Sequence, residues 1–144
     1  MKAKATYLTL MLLGLLMTAC ESNPANQSTD NEAAQAELTS EVVSPEAFEG
    51  LMETHPNAQL VDVRTPEEVA QGRIAGAVNY NIMGEGFTEQ VKQLDPTQPV
   101  LLYCRSGRRS ANAARQLAAM GFKQVYDLEG GIIAWQGASM PMEK

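Results

Sequence analysis

With 144 residues, 44% hydrophobic and 19% charged, the chain has room for one domain with its own core and little else. Its 11 basic against 17 acidic residues leave a net charge of −6, which removes the electrostatic ground for nucleic-acid binding. One histidine and two cysteines without ligand spacing give no basis for a zinc or iron centre, and neither metal nor cofactor is expected.

Residues 1–19 carry Lys2 and Lys4, an apolar stretch from about Tyr7 to Met17, and then Thr18-Ala19-Cys20. A positive start, a short apolar run and small residues before a break describe a secretory signal, and the run is shorter than the roughly 20 residues a spanning helix needs. Met17-Thr18-Ala19-Cys20 resembles a bacterial lipobox, which implies acylation of Cys20 as the first mature residue; an ordinary cleaved signal is the alternative. Loss of residues 1–19 takes two lysines and no acid, so the mature protein is more acidic still. Residues 20–40 are rich in Asn, Gln, Ser, Ala and Glu, with Leu38 as their single large aliphatic residue, and read as a disordered tether reaching on the order of 25 Å. The implied setting is the cell envelope, lipid-anchored and facing the periplasm, with the outer membrane favoured because Glu21 is not aspartate.

The folded part is expected over 41–144. Glu41-Val42-Val43 reads as a short strand, and Ser44-Pro45 as a helix start with Ser at the N-cap and Pro at the first helical position. Phe48, Leu51 and Met52 then form a core stripe, and His55 is expected at the helix C-terminus rather than in catalysis. Ala58 to Val63 is a buried strand, after which Thr65 and Glu68 form a capping box around Pro66. Asp62 and Arg64 are expected as an ion pair or cap that fixes the turn, with the pocket rim as the alternative. Ala77 to Tyr80 is the next strand, and Phe87, Val91 and Leu94 are spaced for a helix on the sheet.

Pro99-Val100-Leu101-Leu102-Tyr103-Cys104-Arg105-Ser106-Gly107-Arg108-Arg109-Ser110 is the centre of the chain. An apolar strand ends on a cysteine, a loop follows, and a helix over Ala111 to Met120 takes over, with Ala114, Leu117, Ala118 and Met120 inward and Gly121 as its stop. A cysteine at the carboxyl end of such a strand, facing a helix N-terminus, is expected to be a thiolate, because amides and cations stabilise S⁻ over S–H. Gly107 permits φ > 0, so that successive amides turn inward as an anion nest, and Arg105, Arg108 and Arg109 add charge to hold an anion. An inert core cysteine beside solvated arginines is the competing reading. Gln124 to Leu128 is the last strand, Gly130-Gly131 turn the chain, and Trp135 is expected to seal the core. Strands alternating with helices imply a doubly wound, mainly parallel α/β sheet of five strands with helices on both faces.

The run Cys104-Arg105-Ser106-Gly107-Arg108-Arg109-Ser110 resembles the active-site loop of rhodanese-like sulfurtransferases. Leu60 to Glu68 followed by Gly72-Arg73-Ile74-Ala75-Gly76-Ala77 resembles that family's second signature, and Leu128 to Trp135 its third, although the family usually has His at Arg73 and often Pro at Ala75. The resemblance implies a rhodanese-like fold and covalent sulfur transfer through Cys104. A small anionic sulfur donor such as thiosulfate, or a persulfide, would load the cysteine, and a thiol or cyanide would unload it. Arg105, Ser106, Gly107, Arg108 and Arg109 would bind the substrate. A monomer suffices for this chemistry.

Two other classes remain open at this point. Cysteine phosphatases and, more weakly, arsenate reductases place a thiolate in an arginine loop, but need five residues between cysteine and arginine; here Ser110 stands at that position and Arg109 one place too close. A non-enzymatic interaction or persulfide-carrier module of the envelope is the other. With Cys20 acylated, Cys104 has no resolving partner for intramolecular disulfide exchange.

Overall fold

The computed structural model describes residues 39–144; the signal segment, Cys20 and most of the tether lie outside the described residues. Five strands, β1 (Thr39–Val43), β2 (Gln59–Asp62), β3 (Val78–Asn79), β4 (Val100–Tyr103) and β5 (Gln124–Leu128), form one all-parallel sheet in the order β1-β5-β4-β2-β3. Between and after them run α1 (Pro45–Thr54), α2 (Pro66–Val69), α3 (Phe87–Val91), α4 (Arg108–Ala119) and α5 (Gly131–Gly137). The first strand begins two residues before the expected Glu41, because Thr39 and Ser40 continue the ladder opposite Gln124 and Val125.

β4 occupies the middle of the sheet and is buried at all four positions, which is why it reads as a continuous apolar run. Strand alternation sends Val100, Leu102 and Cys104 into a core layer with Phe87 and Val91 of α3 and Ala113, Ala114 and Leu117 of α4. Leu101 and Tyr103 enter the opposite layer with Phe48 of α1 and Ile132 and Trp135 of α5. There the Phe48 and Trp135 rings meet edge to face, their centroids 6.0 Å apart. Helices therefore cover both faces of the sheet, as the alternation of elements implied.

The helix starts follow the chemistry of their first residues. Ser44 accepts a hydrogen bond from the Ala47 amide at 3.3 Å, and Thr65 and Glu68 complete the capping box of α2. α4 departs from expectation by starting at Arg108, three residues early, so that Arg108, Arg109 and Ser110 form its first turn. Gly107, left-handed at φ +94°, turns the chain straight into the helix. The inward face then runs Ser110, Ala113, Ala114, Leu117 at helical spacing, and Met120, at the C-cap, is exposed rather than inward. Gly121, at φ +91°, ends the helix.

The connection leaving β2 runs outward to β3, whereas the one leaving β4 runs the other way to β5. These neighbours thus diverge at their carboxyl ends, which is where open α/β sheets place ligands. Asp62 and Tyr103 end them in register, and Arg64 and Cys104 follow. His55 precedes β2, at the opposite end of the sheet, and caps α1 with its Nδ1 3.2 Å from the Leu51 carbonyl oxygen.

Asp62 and Arg64 form the ion pair expected from their spacing. The Arg64 Nε donates to both Asp62 oxygens at 2.9 Å, its Nη2 to Oδ2 at 2.6 Å, and further bonds reach the Glu68 and Gly72 carbonyls. Both side chains are almost fully buried. Asp62→Ala strands the guanidinium with two carbonyls only and is expected to destabilise the domain by about 3 kcal/mol in urea unfolding. Arg73, where the family usually has His, pairs with Glu143 at 2.7 Å and fixes the C-terminal tail.

Candidate active site

Cys104 is a free thiol, 1% exposed, one residue past the end of β4. Its Sγ lies 3.1 Å from the Gly107 amide, which donates to it, and 3.5 Å from the Ser110 hydroxyl. The helix N-terminus behind these donors adds its positive end. Burial pushes the thiol up, but the Ser110 hydroxyl and the amides of Ser110, Ser106 and Arg109 outweigh it, so the thiol lies below its ordinary value. A sulfur surrounded by donors is the arrangement that the thiolate expectation calls for.

The β5–α5 turn holds this loop from beneath. The Ile132 amide donates to the Cys104 carbonyl at 2.9 Å and the Ile133 amide to the Arg105 carbonyl at 3.2 Å. Two successive glycines with positive φ, Gly130 and Gly131, let the turn come this close; a Cβ on Gly131 would stand 2.5 Å from the Cys104 carbonyl oxygen. The third signature of the sequence is thus a support for the first.

The structure separates the three arginines. Arg109, expected to add charge for the substrate, reaches the two Glu68 oxygens with its Nη1 and Nη2 at 2.7 and 2.6 Å and also acts on the Cys104 sulfur, so its charge is shared between carboxylate and thiol. Arg105 and Arg108 are exposed, as is Ser106. Arg105 lines a cleft of about 270 Å³ with Arg64, Glu68, Gly72, Ile132 and Ile133. Tyr103 points to the far side of the sheet, where its hydroxyl accepts from the Ile74 amide at 3.1 Å.

Ser110 and Glu68 are site residues the sequence did not reveal as such. Ser110 stands at the position used only to count the loop length, and Glu68 was legible as a cap but not as a partner of a residue 41 positions away. Arg109 holds the Glu68 carboxyl down at about 2. Its folded value lies below the unfolded one, so its contribution to stability is present above about pH 4.5 and lost as the pH falls toward 2. Discounted for its partial exposure, that contribution is on the order of 1 kcal/mol. Glu68→Gln is expected to remove it at pH 7 and to flatten the acid limb of a stability–pH curve from urea unfolding.

Among the described residues no group of His, Cys, Asp or Glu could hold a metal ion, and no helix is long and apolar enough to cross a membrane.

A parallel doubly wound sheet with a cysteine sulfur cradled by amides and a hydroxyl at its switch point defines the class of the protein, an α/β domain with an anion-favouring cysteine loop. The model of the rhodanese-like domain matches residues 44–138, and the chain belongs to that family. It is 39% identical over 99 residues to YtwF of Bacillus subtilis, covering 69% of this chain and 93% of that protein. Against the thiosulfate sulfurtransferase GlpE of Vibrio cholerae it is 36% identical over 98 residues, covering 67% and 89%. The crystal structure of a rhodanese-related protein from Thermoplasma volcanium superposes with a TM-score of 0.64 at 27% identity, covering 72% and 97%.

Proposed function

We propose that the protein is a sulfurtransferase that carries sulfane sulfur as a Cys104 persulfide, taken from thiosulfate or a persulfide donor and passed to a thiol or cyanide. The observation that carries this reading is the ring of donors around Sγ. In the first step the thiolate attacks the outer sulfur of thiosulfate, a bond forms between the two sulfurs, and the S–S bond of the donor breaks with its electron pair leaving on sulfite. In the second, the acceptor attacks the outer persulfide sulfur and the pair returns to Sγ. The negative charge stays on a sulfur beside the amides of Ser106, Gly107 and Arg109 throughout. Arg105 and Arg108 are the exposed cations of the loop and hold the incoming and leaving anions; Arg109 fixes the loop through Glu68.

The sulfurtransferase name of GlpE supports this reading, as does the spacing of the loop. A phosphatase would need a guanidinium turned toward a bound tetrahedral anion. Both Nη groups of Arg109 are taken by Glu68, with Cys104 as its further partner, and Ser110 fills the next position with its hydroxyl on the sulfur. Thiocyanate formation from thiosulfate and cyanide, run beside hydrolysis of an aryl phosphate and reduction of arsenate, separates the three. Thiocyanate alone is expected; phosphate release without it would move the assignment.

The reading extends to a monomer held at the envelope by acylated Cys20, facing the periplasm, with small-molecule donors and acceptors as partners. Labelling with a fatty-acid analogue in cells, lost in Cys20→Ala, tests the anchor.

A further inference from the structure

Asp127 is an acid that the proposed reaction leaves unused. It lies near the end of β5, 2% exposed, and its Oδ1 is buried with no hydrogen-bond partner among the described residues. Alternation along β5 puts it on the face of Val125, in the layer that holds Leu102, Cys104 and Ala114. In register it stands opposite Leu102, and Cys104 follows two residues further along β4 on the same face. The two acids are therefore diagonal neighbours on adjacent strands. An unpaired carboxylate in an apolar layer is costly, and burial pushes the Asp127 carboxyl up to about 6, with the Ser110 hydroxyl pulling it the other way.

Ser110 is the link. It is fully buried in the first turn of α4, with its Oγ 3.1 Å from the Gly107 carbonyl oxygen and 3.5 Å from Cys104 Sγ, and α4 packs on β5, where the Ser110 hydroxyl is the group that pulls the Asp127 carboxyl down. A hydroxyl carries one proton, so sulfur, carbonyl and carboxylate compete for it. The other elements around Asp127 do not enter the contest. β1 offers Val42 opposite it, and β4 offers Leu102 besides Cys104. Of the cations of α4, Arg109 is paired with Glu68 and also acts on the Cys104 sulfur, where it favours the thiolate, and Arg108 and Arg115 are in solvent. Tyr80 borders the layer from beyond β3, at the far side of the sheet from β5.

We propose that Asp127 is a positioning residue for Cys104 that acts through the Ser110 hydroxyl. Protonated, Asp127 donates to Ser110 Oγ and leaves the Ser110 proton to the sulfur; ionised, it takes that proton for itself and opposes the thiolate with a second negative charge. Thiol and carboxyl then titrate as a coupled pair rather than as independent groups. The inference rests on Cys104 being the reactive group, and its test reads the thiolate directly, without any sulfur donor, so that it and the sulfurtransferase reading fail separately.

The experiment follows the Cys104 thiolate by ultraviolet absorbance and by its alkylation rate across the pH range, in wild type, Asp127→Asn, Ser110→Ala and the double variant. Asp127→Asn is expected to lower the thiolate midpoint by about one pH unit, and by less than half as much in the Ser110→Ala background. By reciprocity, the Asp127 carboxyl carbon followed by NMR should titrate at lower pH in Cys104→Ala than in wild type, a readout that needs no change at Asp127 itself. An unmoved midpoint in Asp127→Asn, an equal shift with and without the Ser110 hydroxyl, or a carboxyl titration indifferent to Cys104→Ala would each overturn the proposal.

Discussion

Gly131→Ala is expected to destabilise the domain by about 4 kcal/mol and, in the fraction that stays folded, to slow loading of Cys104 with sulfur about a hundredfold. Two costs combine. Gly131 sits at φ +60°, where a Cβ is strained, and that Cβ would meet the Cys104 carbonyl oxygen at 2.5 Å and the Arg105 carbonyl carbon and oxygen at 2.7 Å. These are backbone atoms of the Cys104 loop, held there by the Ile132 and Ile133 amides, so neither side can yield without moving the sulfur. Urea unfolding gives the first number and single-turnover loading the second. Gly137→Ala is the control, because that glycine has open space around it and an ordinary φ in the same helix; it is expected to be close to neutral. Equal behaviour of the two variants would show that the turn does not support the loop.

Cys104→Ser is the substitution with the largest expected effect on activity, a loss of about a thousandfold or more in sulfur transfer, with stability changed by about 1 kcal/mol at most. The serine hydroxyl fits the cradle, but it is not ionised near neutral pH and cannot hold a transferable sulfur. The amides of Gly107 and its neighbours would still bind anions, which separates the roles of cradle and nucleophile: anion binding should survive where transfer does not. Retention of transfer in Cys104→Ser would mean that a different group carries the sulfur.

The sequence revealed the parts whose cause is local. Ser44, Pro45, Thr65 and Glu68 announce their helices because caps act within three residues. The fully apolar β4 and the period of α1 announce the buried sheet and the helix laid on it, and the spacing of Asp62 and Arg64 announced their pair. Gly107 was legible as a residue needing φ > 0, but the exact start of α4 was not, since arginine and serine fit a loop and a first helical turn equally well. That difference matters, because it places Ser110 inward on the helix, against the sulfur, rather than at the end of a loop.

What stayed hidden was long-range. Nothing local marks Arg109 as the partner of Glu68, and a charge that looks available for substrate in the sequence is bound to a carboxylate in the fold. Asp127 reads as an ordinary polar residue at a strand end until the register puts it beside Leu102, under α4, with an oxygen lacking a partner among the described residues. Gly131 reads as a turn residue until the carbonyls of Cys104 and Arg105 prove to be its neighbours. Each of these depends on the order β5-β4-β2, which sequence spacing does not carry.

The most direct test of sulfur transfer through Cys104 is the intact mass of the reduced, soluble domain after incubation with thiosulfate or a persulfide donor, in wild type and Cys104→Ser. A gain of one sulfur atom is expected in wild type, absent from the variant and discharged by cyanide as thiocyanate. No gain with either donor, from a thiol confirmed to be reduced, would contradict it and leave a rhodanese-like fold whose cysteine serves binding rather than transfer.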